Sequence, residues 1–137
     1  MKVFLDSSAF AKRYIEEAGS QLIDEICQQA SELCLSVICI PELISALNRR
    51  VREKILSQKN YTTIKKALSE DVQDITVINL TPEVITQATR LLENNTLRAM
   101  DALHIACALE CKTELFVSFD KQQIVAAQNA GLITRVI

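Results

Sequence analysis

The chain has 137 residues, 49% of them hydrophobic and 23% charged, with a formal net charge of −2. That is enough apolar side chain to fill a core, which excludes a disordered tail or a disulfide-stapled miniprotein, and the near-neutral balance gives no bulk attraction to nucleic acid. With only two glycines, two prolines and no linker-like stretch, we expect one domain over residues 1–137.

In chain order, KVFLD (2–6) predicts a short strand, apolar and ending on an acid. The three apolar residues before Asp6 are too few for the core of a secretion signal. No apolar run approaches the ~18 residues that span a bilayer, so a cytosolic protein is expected. Residues 7–19 predict a helix with Ser7 or Ser8 as N-cap and Gly19 as its stop. Leu22, Ile23 and Ile26 recur at helical spacing within 20–30, and LCLSV (33–37) predicts a second buried strand. Ile40, Leu43, Ile44, Leu47 and Val51 form the apolar side of an amphipathic helix over 38–54, with Pro41 near its first turn.

Residues 61–74 predict a further helix, and ITVINL (75–80) a strand rich in β-branched residues. Thr81 then caps a helix over 81–93 whose first position is Pro82. LRAMDALHIACALE (97–110) is apolar almost all round and predicts a central helix. ELFVSFD (114–120) predicts a strand, 121–131 a helix closed by Gly131, and 132–137 a last strand. The strand–helix alternation, with continuously apolar strands, predicts an α/β fold: a three-layer α/β/α sandwich around a parallel sheet.

The five cysteines are odd in number and form no CxxC, which fits a reducing compartment and thiols used as small hydrophobes. His104, Cys107 and Cys111 share one helix, but the first and last stand two turns apart, about 10 Å at 1.5 Å per residue. One zinc ion is not reached by all three without further ligands.

Four acids carry more information. Asp6 and Asp120 end strands, Glu42 opens the helix after the second strand, and Asp101 lies in the first turn of the apolar helix. In open parallel sheets, ligands gather at the carboxyl ends of the strands. Taken singly, Asp6 reads as a helix cap, Asp120 with Gln123 as a capping pair, and Glu42 as an acid favoured by a helix N-terminus. Asp101 is harder to explain, because burying an unpaired carboxylate costs several kcal/mol. Pairing with Arg98, three residues earlier, is one answer; a divalent cation shared by all four acids is the other. Carboxylates without His or Cys suit Mg²⁺ or Mn²⁺ rather than zinc, and two such ions activate a water and stabilise the leaving oxygen of a phosphodiester. Ser8 and Ser118 flank two of the acids as orienting hydroxyls, and His104 reads as a core or supporting residue rather than a base. Arg49, Arg50, Arg52 and Lys54, followed by Lys65 and Lys66, read as solvated helix faces. Setting four of the seventeen acids aside leaves thirteen against fifteen basic residues, a surface that no longer repels a phosphate backbone.

In order, LDSSAFAKRYIEEAGS, the PEL segment with Glu42, LRAMDALHIACAL and LFVSFDKQ resemble the motifs of the PIN domain. More narrowly they resemble the VapC-type toxins of prokaryotic toxin–antitoxin pairs, over residues 2 to about 133. The resemblance implies an α/β/α sandwich and a metal-dependent endoribonuclease. Its acidic quartet would be Asp6, Glu42, Asp101 (within Arg-x-x-Asp-Ala, with Arg98) and Asp120, supported by the hydroxyls of Ser8 and Ser118. It also implies a small antitoxin as partner and a homodimer. Competing readings are a DNA nuclease on the same fold, although segments for threading a flap are missing, and a non-catalytic RNA- or protein-binding module. An aspartyl-phosphate phosphatase would need an acid where Ser8 stands, and a receiver domain an Asp at the end of 75–80, where none occurs.

Overall fold

Every predicted strand forms in the computed structural model, which describes residues 1–135; three are shorter than the apolar runs that announced them, and the second keeps five residues but begins one position earlier. They are β1 (Lys2–Leu5), β2 (Glu32–Ser36), β3 (Thr76–Ile78), β4 (Leu115–Val117) and β5 (Thr134–Arg135). The last strand was expected to reach residue 137, and its final two positions lie outside the described residues. All neighbours pair in parallel, in the order β3-β2-β1-β4-β5. The helices are α1 (Ser7–Phe10), α2 (Ser20–Gln29), α3 (Cys39–Arg52), α4 (Gln58–Val72), α5 (Pro82–Asn94), α6 (Ala99–Glu110) and α7 (Lys121–Asn129).

Alternation along the strands divides the core in two. Val3, Leu5, Leu35 and Val117 pack with Phe10, Ile23, Ile26, Leu43 and Leu68 from α1 to α4. Phe4, Cys34 and Phe116 point the other way, onto Val84, Leu91, Ile105 and Ile124 from α5, α6 and α7. Phe4 and Phe116 stack across the β1–β4 pair with ring centroids 5.8 Å apart. Ala102, Ala106 and Ala108, all fully buried, give α6 a thin profile between its neighbours. This is the expected three-layer sandwich, with α6 as its most buried helix. Among the described residues no helix is long and apolar enough to cross a membrane.

Two elements differ from expectation. The helix predicted over 7–19 ends at Phe10 and continues only as a 3-10 turn, Ala11–Arg13. Glu16, Glu17 and Ala18 are exposed and offer no apolar face. The Ser20 hydroxyl closes this stretch instead, donating to the Ile15 carbonyl (3.2 Å) and accepting from the Glu17 N–H (3.0 Å). The cap of α1 is Asp6 rather than Ser7 or Ser8, and Gly19 precedes α2 rather than stopping α1. The strand predicted over 75–80 is a three-residue edge strand with Thr76 exposed, because the chain must already turn toward the Thr81 cap of α5.

The strand order places β1 beside β4, with β2 and β3 on one flank and β5 on the other. Where the order reverses, at the carboxyl ends of β1 and β4, a crevice opens. Gly19 braces one wall of it: its φ is +94°, and an added Cβ would stand 2.7 Å from the Phe119 ring. Phe119 is held from another side by the Lys12 ammonium, 4.4 Å from the ring centroid. Gly131 has a similar φ of +92° but open space around it. Gly19→Ala is therefore expected to lower the unfolding free energy by ~2 kcal/mol or more, and Gly131→Ala by only ~1 kcal/mol. Urea denaturation of the two variants compares them directly, and equal losses would contradict the bracing role.

Candidate active site

The crevice is built around one carboxylate. Asp6 follows β1 directly, and its side chain is completely buried. Oδ1 accepts from the Ala9 N–H (2.9 Å), as the cap of α1, and from the Ser8 hydroxyl (2.7 Å). Oδ2 accepts from the Ser118 hydroxyl (2.6 Å) and the Gln123 amide Nε2 (2.9 Å). Both hydroxyls are themselves fixed from the backbone: Ser8 accepts from the Phe119 N–H at 3.1 Å and Ser118 from the Asp120 N–H at 3.0 Å. Burial pushes the Asp6 carboxyl above the usual carboxylate range, and the bonds from Ser118, Ser8 and Ala9 only partly offset it.

Asp101 enters from the first turn of α6, where the helix dipole favours an anion. Its Oδ1 accepts from the same Gln123 Nε2, at 3.2 Å. The Arg98 partner that the sequence offered is present, but at 3.5 Å and from a side chain 83% exposed. That is a long, solvated contact of small energetic weight. Gln123 is thus the donor that joins Asp6 to Asp101.

Glu42 stands in the first turn of α3. Its Oε1 accepts from the Ser7 hydroxyl and from His104 Nε2, both at 2.6 Å. Burial alone would raise the Glu42 carboxyl, yet the bonds from His104 and Ser7 and the charges of His104 and Arg98 outweigh it, and the group lies below its ordinary value. The Nε2–H of His104 leaves Nδ1 buried and without a partner. Asp120 caps α7, its Oδ1 accepting from the N–H groups of Gln122 (2.9 Å) and Gln123 (3.3 Å). Among the described residues, its hydrogen bonds reach the rest of the site through Ser118 and Gln123.

Of the four predicted acids, Asp6 and Asp101 are brought together by one donor, with Ser8 and Ser118 against Asp6 and Arg98 beside Asp101. Asp6 and Asp101 share one nitrogen, while Glu42 and Asp120 are each linked to Asp6 through one intervening residue or more. Sequence reasoning missed Ser7 and Gln123 as members. For His104 there was a signal, since it follows Asp101 by three residues and so shares its helical side; for Gln123 there was only its place in the cap after Asp120.

Among the described residues no three His, Cys, Asp or Glu side chains stand together so as to hold a metal ion. The donor chemistry nonetheless fits a hard dication: two buried carboxylates that share one donor, two more acids linked to them through intervening residues, and a buried amide oxygen, Gln123 Oε1, with no partner among the described residues. The zinc arrangement is excluded as drawn. Cys107 Sγ faces the Ser36 hydroxyl at 3.4 Å, Cys111 Sγ faces the Thr113 hydroxyl at 2.9 Å, and His104 is engaged by Glu42.

The chain matches the sequence model of the PIN domain over residues 3–129. It is 28% identical over 107 residues to Ribonuclease VapC45 of Mycobacterium tuberculosis, an alignment covering 78% of this chain and 74% of that protein. Among solved structures it superposes on Mycobacterium tuberculosis VapC20, a sarcin-ricin loop cleaving toxin, with a TM-score of 0.71 and 18% identity, covering 96% of each chain. It superposes equally, at 0.71 and 13% identity, on VapBC2 from Rickettsia felis bound to a promoter DNA fragment, covering 100% of this chain and 99% of that one.

Two outcomes are expected. Ser118→Ala removes a bond to a buried carboxylate and frees the Asp120 N–H, and it should cost about 1.5–3 kcal/mol in urea unfolding; a loss under 0.5 kcal/mol would show that Asp6 does not depend on it. The Cys111 thiol lies below its ordinary value, lowered by its neighbour Cys34 and, against burial, by Thr113 and Lys2, and it should be the first of the five cysteines to alkylate at neutral pH. Iodoacetamide labelling with peptide mapping reads the order; labelling of another cysteine ahead of Cys111 would contradict it.

Proposed function

The chain belongs to the PIN domain family, and from that premise we propose that it is a metal-dependent endoribonuclease, the toxin of a toxin–antitoxin pair. The observation that carries this reading is the shared Gln123 nitrogen: two carboxylates from opposite ends of the sequence, Asp6 and Asp101, meet in a buried crevice. Two neighbouring carboxylates in a place of low dielectric repel one another unless a proton or a cation lies between them. We assign Asp6, Glu42, Asp101 and Asp120 as the residues that hold Mg²⁺ or Mn²⁺. When bound, the ion supplies an activated water and charge stabilisation on the scissile phosphate.

The chain's own residues prepare that chemistry. Ser8 and Ser118 orient Asp6 by donating to one oxygen each. Ser7 and His104 fix Oε1 of Glu42 and leave Oε2 free to face a ligand. Arg98, on the solvent side of Asp101, is placed to meet a phosphate oxygen. A groove of about 430 Å³ runs from Glu42 past Arg49 and Arg52 to Met100, giving a polynucleotide backbone a basic wall beside Glu42. Of the basic run 49–54, Arg49 and Arg52 line this groove. RNA is the proposed substrate and the cytoplasm the proposed compartment. A small antitoxin, supported by the VapBC2 structure to which the fold is similar, and a second copy of the chain are the proposed partners.

Cleavage of RNA is expected with Mg²⁺ or Mn²⁺, leaving 5′-phosphate and 3′-hydroxyl ends, and is expected to vanish in EDTA. Asp6→Ala and Asp101→Ala should each lower the rate by ~10²-fold or more. The assay is run beside single-stranded DNA of the same sequence: preferential DNA cleavage, or full RNA cleavage in EDTA, would refute the proposal.

A further inference from the structure

An ionised carboxylate offers about four lone-pair sites, and on Asp6 four donors occupy them: Ser8, the Ala9 N–H, Ser118 and Gln123. A cation thus reaches Asp6 only if one donor leaves. Three of the four are tied elsewhere. The Ala9 N–H belongs to the first turn of α1, and the Ser8 and Ser118 hydroxyls each accept from a backbone N–H in the loop after β4. Gln123 is different. Its amide nitrogen spends one hydrogen on Asp6 and one on Asp101, the orientation that two acceptor-only carboxylates dictate. Its Oε1 is buried without any partner, and the residue is only 4% exposed. Among the described residues, only the two carboxylates hold this three-torsion side chain by a polar contact.

We propose that Gln123 is a positioning residue that occupies the gap between Asp6 and Asp101 in the metal-free protein and is the one donor a dication must displace. The proposal rests on the reading of these acids as metal ligands. Its content is that the amide bridge competes with the ion: the two hydrogen bonds hold the carboxylates together without metal and are given up when metal enters. Metal affinity is thereby tuned downward by a neutral side chain, and the unpartnered Oε1 is an oxygen that gains a partner once the amide turns.

Isothermal titration with Mn²⁺ alone, without RNA, tests this on the full chain. Wild-type protein is expected to bind, Asp101→Asn to lose binding, and Gln123→Leu to bind at least about tenfold more tightly, the effect of removing two hydrogen bonds to charged groups that only the metal-free state makes. The melting temperature of Gln123→Leu should be lower than wild type in EDTA and should recover in excess Mn²⁺. Equal or weaker Mn²⁺ binding by folded Gln123→Leu overturns the competition while leaving the metal-site reading intact. Failure of wild type to bind overturns both. Should Gln123→Leu not fold, Mg²⁺ titration of ¹⁵N-labelled wild-type protein decides the matter, since the Gln123 side-chain amide resonances must move as the metal binds; unmoved resonances refute the displacement.

Discussion

A carboxylate sealed from water at the meeting of β1 and β4 is the constraint around which this molecule is arranged. Removing Asp6 from solvent is tolerable only because four donors converge on it, from α1, from the residue after β4 and from α7. Those donors come from segments more than 110 residues apart, so the carboxylate acts as a cross-link as well as a chemical group. Without parallel pairing of β1 with β4, in the register Leu5 opposite Val117, Ser118 would not reach it. The energetic risk and the candidate chemistry share one location, as is common where local stability is given up for a reactive environment.

The rest of the architecture supports that junction. Small side chains on α6 let the helix sink into the protein until its first turn presents Asp101 beside Asp6, and the same helix carries His104 to Glu42 one turn later. Glu42 in turn reaches α1 through Ser7, so α3 and α6 are registered against the same short turn. Two layers of helices converge on one edge of the sheet because alternate strand residues supply each layer with an apolar floor.

Much of this was legible in the residues. Apolar runs closing on an acid marked the strand ends, Thr81-Pro82 marked a helix start, and Asp101 stood out because its neighbours are apolar. The shortfalls have definite causes. The segment 7–19 carries helix formers, but a helix lasts only where one face is buried, and Glu16 to Ala18 face solvent. The strand 75–80 has the right β-branched composition, yet an edge position and an imminent helix cap leave three residues to pair. Gln123 was seen as part of a cap because its backbone does serve the cap; its side chain's role depends on the distance between two carboxylates, which strand order sets and spacing does not reveal. Arg98 was the reverse case: local spacing put it beside Asp101, but its exposure leaves it little hold on that group.

The paired hydroxyls have one more consequence. Ser8 and Ser118 each send a proton to Asp6 and take one from the peptide backbone of residues 119 and 120. The direction of these rotors is imposed by the negative charge, since a neutral acid would have to place its own proton against one of them. Each hydroxyl thereby ties the interior carboxylate to the main chain of the β4–α7 connection, so the path of that connection and the placement of the buried charge are fixed by the same two side chains.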